Sequence, residues 1–181
     1  MTMKSTRAAF ALGASACALL LGFGYYLQYV QGLEPCPLCL LQRGFFYAVM
    51  GIFALGALHG PASWGKAVYG SVAALFALGG AASAGRQVWL QHLPPEKVPQ
   101  CGPDLYFMLE HFPLARTLKT LVSGTGECAV VDWTFLRLSI AEWSLGWFAV
   151  LFVYAVWLAA RAGATGAASE LTFPEIDGKY R

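Results

Sequence analysis

Four stretches of this chain contain no Asp, Glu, Lys or Arg: Ala8 to Leu33, Gly44 to Gly65, Ala67 to Gly85 and Trp143 to Ala160, which hold 26, 22, 19 and 18 residues. A membrane-spanning helix needs about 20 apolar residues at about 1.5 Å rise each, so each stretch is long enough to cross a bilayer. The composition agrees. Of 181 residues, 57% are hydrophobic and 12% charged, where an average soluble domain is about 25% charged. A soluble core of this size has no means of hiding so much apolar surface. The net charge of +2 offers no basic stripe for nucleic acid. These features exclude soluble, disordered and nucleic-acid-binding classes. The expected fold class is an all-α integral membrane protein, a four-transmembrane-helix bundle with spans at about 8–30, 40–58, 67–89 and 143–160. A cleavable signal peptide is the competing reading of the first stretch, since Lys4 and Arg7 precede it. That run is longer than the roughly 7–15 residues of a signal's apolar segment, and three comparable runs follow it.

Four spans place both termini on one side. Lys4 and Arg7 precede the first span, Lys66 lies between the second and third, and Arg161 closes the fourth, each without a nearby acid. Such positions read as cytoplasmic. The other side receives a short loop, about 31–39, and a long one, about 90–142. Long loops cross the membrane largely regardless of their charge, so Lys97, Arg116, Lys119 and Arg137 do not oppose this orientation. Trp89, Trp143 and Trp147 suit an aromatic belt at the outer ends, and Trp64 suits one inside. Residues 1–161 thus form the transmembrane domain, and 162–181 a loose cytoplasmic tail with few large apolar residues.

Five cysteines fall on this topology. Cys17 sits mid-span among Ala, Leu and Gly and reads as a small buried apolar residue. The other four, Cys36, Cys39, Cys101 and Cys128, all fall on the outer side. Thiols outside the cytosol pair as disulfides, and four cysteines allow three connectivities. Cys36-Pro37-Leu38-Cys39 opens the second span, with Pro37 suited to the first helical position and Cys36 to the N-cap. Unpaired N–H groups and the positive end of the helix dipole favour a thiolate there, and the thiolate is the species that performs disulfide exchange. Arg43 follows Cys39 by four residues and shares its helical face. An ionisable residue at the edge of the hydrocarbon is a functional candidate, with snorkelling to head groups as its bland alternative.

Cys101 and Cys128 lie in Gly/Pro-rich surroundings, Pro99-Gln100-Cys101-Gly102-Pro103 and Ser123-Gly124-Thr125-Gly126. A structural staple is the plain reading, but this composition predicts exposed backbone on which a disulfide is open to attack. Leu105, Met108, Leu109 and Phe112 recur at helical spacing, as do Leu114, Leu118, Leu121 and Val122. These patterns predict two short amphipathic helices on the outer membrane surface, which would hold the second pair within reach of the first. A zinc site competes for the cysteines and is disfavoured, because only one pair has ligand spacing. His92 at the outer end of the third span reads first as a plain interfacial histidine.

A reactive Cys-x-x-Cys at the membrane surface and a second pair on a loop suggest a two-step thiol relay. The chain has no nucleotide fingerprint, haem attachment site or iron–sulfur spacing. By elimination the electron acceptor is one dissolved in the membrane, a lipid quinone beside Cys39 and Arg43, whose charge would stabilise an oxyanion.

The runs Cys36-Pro37-Leu38-Cys39-Leu40-Leu41-Gln42-Arg43, Gly85-Arg86-Gln87-Val88-Trp89-Leu90-Gln91-His92, Cys101-Gly102-Pro103-Asp104 and Gly126-Glu127-Cys128 resemble the DsbB family, bacterial disulfide-bond formation protein B. The resemblance extends over roughly Ala8 to Ala160. It implies a monomeric four-helix protein of the bacterial inner membrane that faces the periplasm with its redox cysteines. It also implies a thiol:quinone oxidoreductase that reoxidises a periplasmic thioredoxin-fold oxidase, DsbA-like, using ubiquinone or menaquinone. Carried over by motif, Cys101 forms the mixed disulfide with the partner, Cys128 pairs with Cys36, and Cys39 faces the quinone. Arg43 and His92 match quinone-site positions. Some relatives carry Glu where this chain has Gln42, and no role is assigned to that position. Two other functions compete. One is a relative of vitamin K epoxide reductase, whose Cys-x-x-Cys lies late in its bundle. The other is a structural or interaction protein with a stapled loop, which leaves Cys36, Cys39 and Arg43 without purpose.

Overall fold

The computed structural model describes residues 3–100 and 110–170. Four long helices dominate: α1 (Met3–Tyr29), α2 (Pro37–His59), α3 (Ser63–Gln91) and α5 (Ile140–Glu170), with the short α4 (Leu114–Ser123) between the third and fourth. All four long helices contain segments apolar and long enough to cross a membrane, the last of them over Ile140–Arg161, so the multi-pass architecture read from the charge gaps is present. Helix α5 continues to Glu170, so the first nine residues of the expected tail are helical backbone. Of the two amphipathic helices expected in the long loop, the second is α4. Leu105, Met108 and Leu109 of the first lie outside the described residues.

The helix ends follow local chemistry. Cys36 is the N-cap of α2 with Pro37 in the first turn, and Gly60, at φ 57°, ends the helix in the left-handed conformation. Ser139 and Glu142 cap α5 reciprocally: the Ser139 N–H donates to the Glu142 carboxylate at 2.6 Å, and the Glu142 N–H to Ser139 Oγ at 3.3 Å. Just before it, Thr134–Phe135 and Leu138–Ser139 pair as a minimal antiparallel hairpin. This hairpin has no counterpart in the sequence expectations.

Lipid is as apolar as leucine, so helices within a bilayer associate by shape rather than by hydrophobic burial. Here small residues receive rings. A Cβ on Gly13 would fall 2.6 Å from the Phe53 ring, and one on Gly56 would fall 2.7 Å from Phe10, so α1 and α2 interlock reciprocally. Gly80 of α3 lies under Phe148 of α5, and Phe148 in turn stacks on Phe46 of α2 with ring centroids 4.0 Å apart. The Tyr154 hydroxyl donates to the Ala9 carbonyl at 2.7 Å and ties α5 to α1. Cys17 is fully buried in this core. Phe46 of this stack also lines the site described next.

Candidate functional site

Beside Phe46 the four long helices leave a cavity of about 740 Å³, closed on one side by the segment from Glu127 to Ser139. Cys36, Cys39 and Arg43 all line it. The walls include Phe23, Trp133, Phe135, Trp143 and Trp147, so Trp143 and Trp147 face the cavity and are not belt residues alone. Phe23 meets Trp133 edge-on at 5.9 Å, and Trp133 stacks on Phe135 at 6.1 Å.

Three sulfurs meet at one edge. Cys36 Sγ lies 3.0 Å from Cys39 Sγ, and Cys128 is in hydrogen-bonding contact with Cys36. The order is therefore Cys128, Cys36, Cys39. Cys101 lies outside the described residues. Cys128 reaches this place through the 3-10 turn Gly126–Ala129, whose Cys128 N–H donates to the Thr125 carbonyl at 3.0 Å. Gly124 precedes the turn at φ 75°, ψ 155°, a region open essentially to glycine alone. There the backbone is pressed against Leu38 and Leu90, which with Cys128 form a small buried cluster.

Two expectations need correction. The Gly/Pro-rich surroundings predicted exposure at the second pair, yet Cys128 is fully buried. The glycines serve a tight approach of backbone to Leu38 and Leu90 rather than a mobile loop. The helix N-terminus also predicted a thiolate at Cys36. Its Sγ does accept from the Cys39 N–H at 3.4 Å, but the thiol is held above its ordinary range because its single S–H lies between the Cys128 and Cys39 sulfurs and the group is desolvated. The hydrogen bond from Cys36 instead draws the Cys128 thiol down to about 6, with the Leu38 and Thr125 backbone and the Thr125 hydroxyl contributing against burial.

Arg43 donates to the Gln28 side-chain carbonyl and, at 3.0 Å, to the Gly24 carbonyl, with its guanidinium 4.9 Å from the centroid of the Tyr25 ring. These contacts with α1 hold it at the cavity wall rather than letting it reach away along the helix. His92 is not brought to the cavity: it is exposed, and its Nδ1 pairs with the Val88 carbonyl at 2.8 Å. Among the described residues, no three His, Cys, Asp or Glu side chains are grouped so as to hold a metal.

Sequence reasoning missed Gln42 and Gln87, both 3% exposed. Gln42 Nε2 donates to Gln87 Oε1 at 2.7 Å, and Gln87 Nε2 lies 3.4 Å from Cys36 Sγ and 3.3 Å from Cys39 Sγ. Glutamines in an otherwise apolar span were the available signal, since a buried amide needs partners.

Residues 6–158 match the profile of the family described as disulfide bond formation protein DsbB. Proteins named disulfide bond formation protein B are similar over most of their length. The one from Methylococcus capsulatus is 53% identical over 145 residues, 80% of this chain and 88% of the relative. The one from Nitrosococcus oceani is 48% identical over 168 residues, 93% and 98% respectively. A third, from an Azoarcus species, is 48% identical over 156 residues, 86% and 93%.

Proposed function

The chain belongs to the DsbB family of disulfide bond formation proteins, and from that premise we propose that it is an inner-membrane thiol:quinone oxidoreductase that reoxidises a periplasmic DsbA-like protein. The family makes it a disulfide-forming oxidoreductase. The observation that carries the finer reading is the common cavity of Cys36, Cys39 and Arg43, with Cys128 packed on Cys36. In this reading both termini are cytoplasmic and the sulfurs face the periplasm.

The cavity fits a lipid quinone. Aromatic and aliphatic side chains make most of its wall, and the Arg43 guanidinium lines it together with Glu34, Glu127 and Asp132. A quinone supplies an acceptor for two electrons and two protons. The overall balance is partner dithiol plus quinone to partner disulfide plus quinol.

The protein's own sulfurs do the rest. A partner thiolate attacks Cys101 in a Cys101–Cys128 disulfide, and the bonding pair leaves on Cys128. The Leu38 and Thr125 backbone and the Thr125 hydroxyl hydrogen-bond to that sulfur and favour it as a leaving thiolate. Cys128 then attacks Cys36, the sulfur it touches, in a Cys36–Cys39 disulfide. The pair leaves on Cys39, which lines the cavity; the partner's second thiolate then takes the partner sulfur from Cys101, and Cys101 attacks Cys128 to re-form their disulfide and release Cys36. Arg43, at the cavity wall, would stabilise negative charge on a quinone held there.

The test is reconstitution of the purified chain with ubiquinone or menaquinone and a reduced thioredoxin-fold partner, following quinone absorbance and partner thiols together. Equal loss of both, blocked by Cys39→Ser, supports the proposal. Partner oxidation with unchanged quinone removes the acceptor, and inertness with every quinone and partner returns the chain to a stapled structural role.

A further inference from the structure

The Gln42–Gln87 pair belongs to none of the steps above, yet it touches the reacting atoms. Gln87 stands on α3 and Gln42 on α2, so the contact between them crosses the bundle. The two hydrogens on Gln87 Nε2 can address two acceptors at once, and two sulfurs lie in range, at 3.4 and 3.3 Å. The two ends of a glutamine amide are nearly identical in shape, and hydrogen-bond partners alone decide which end faces where. Gln42 supplies that decision: its Nε2 donates to Gln87 Oε1 at 2.7 Å, which leaves the N–H end for the sulfurs. Turned the other way, Gln87 would aim a carbonyl dipole at them and oppose any thiolate. The arrangement also accommodates the neutral state, because a protonated Cys39 can donate to Gln87 Oε1 at 3.6 Å.

We propose that Gln87 is a catalytic residue of the exchange, donating from Nε2 to the sulfurs of the Cys-x-x-Cys, and that Gln42 is a positioning residue that holds this amide in its donating orientation. When Cys128 attacks Cys36, the Cys36–Cys39 bond breaks and its electron pair leaves on Cys39. The Gln87 N–H is in place before that charge arrives, so no dipole has to reorganise. The competing role is a polar tie between α2 and α3, which inside a bilayer would strengthen the bundle without acting on sulfur.

The inference rests on Cys36 and Cys39 as the redox pair, and its test needs neither quinone nor partner, so its failure is distinguishable from failure of the proposed function. The full chain is purified in detergent, fully reduced and pulsed with iodoacetamide at neutral pH. Peptide-resolved mass spectrometry then gives the rate at Cys39, and a melting curve establishes that each variant is folded. Gln87→Met removes the donor at similar volume and slows Cys39 alkylation about tenfold, the weight of one hydrogen bond to a charged group. Gln42→Met leaves Gln87 free to turn and slows Cys39 by a smaller factor. Gln87→Asn withdraws the amide by one methylene and answers the same question if the methionine variant does not fold. Cys39 rates within twofold of the unsubstituted protein in folded Gln87 variants, with only the melting temperature lowered, would assign the pair to helix pairing and overturn the proposal.

Discussion

Gly124→Ala separates the placement of Cys128 from the rest of the site. The glycine sits at φ 75°, ψ 155°, where a side chain adds about 1–3 kcal/mol of backbone strain. Its new Cβ would also fall 2.6 Å from Leu90 Cδ1 and 2.8 Å from Leu38 Cδ1. Both leucines are fully buried, so the clash adds a further roughly 1–3 kcal/mol of overpacking. Methyl ends yield more easily than backbone, which favours the low end of the sum, about 2 kcal/mol. Domain stabilities run to about 5–15 kcal/mol, so the bundle survives and the strain is relieved locally, by lifting the turn that carries Cys128. Cys128 is fully buried and is alkylated only when that turn opens. A loss of about 2 kcal/mol therefore raises its alkylation rate about thirtyfold. The assay is pulse alkylation of the reduced protein with peptide-resolved readout, and Gly32→Ala is the control. Gly32 also has positive φ, 69°, but nothing lies within 4 Å of its Cβ position, so that variant strains backbone without touching the cluster. An unchanged Cys128 rate in Gly124→Ala, or an equal rise in Gly32→Ala, would refute the account of how Cys128 is held.

Three further outcomes are expected. The Cys128 thiol is drawn down from its ordinary value of 9.0 to about 6, so the stability it contributes is complete above the ordinary value, declines as pH falls between the two and is gone below about 6, where its thiolate reactivity also fades. In Cys36→Ala, which removes the main donor, the inflection measured by a pH series of alkylation rates moves up toward the ordinary thiol value. Arg43→Lys keeps a charge but loses the paired donation to Gln28 and Gly24 and the packing on Tyr25. It should raise the KM for quinone at least severalfold while Cys39 alkylation stays unchanged, since lysine lacks the planar fork. The hairpin turn has non-glycine residues at positive φ, Leu136 at 53° and Arg137 at 68°, where Asn-Gly is preferred. Leu136→Asn combined with Arg137→Gly should stabilise the protein by about 0.5–1 kcal/mol, read as a rise in melting temperature.

Much of the scaffold was legible in the order of residues because the signals are local. A gap in charge is a property of a window, and it located all four long helices to within a few residues, α5 excepted at its far end. Cys36-Pro37 announced the start of α2, and the leucine spacing after Pro113 announced α4. Ser139-Ile140-Ala141-Glu142 was an equally local signal for the start of α5, although the apolar run alone was read and the start placed three residues late.

The thiol cluster was only half legible. Chemistry and compartment singled out the cysteines, and the helical repeat put Arg43 on their face. That Cys128 touches Cys36, is buried, and has its thiol drawn down could not be read, because a pKa is set by every group around a sulfur and not by its own helix end alone. Gln42 and Gln87 were signalled only as glutamines in apolar spans: their meaning lies in a contact between two helices whose relative rotation no periodicity specifies. Sequence alone determined which segments cross the membrane and which side chains can do redox chemistry, since both follow from residue type and spacing. Tertiary structure decided which sulfur meets which, and that His92 stays outside the cavity. Those outcomes depend on how rings seat against glycines when α2, α3 and α5 close around the site.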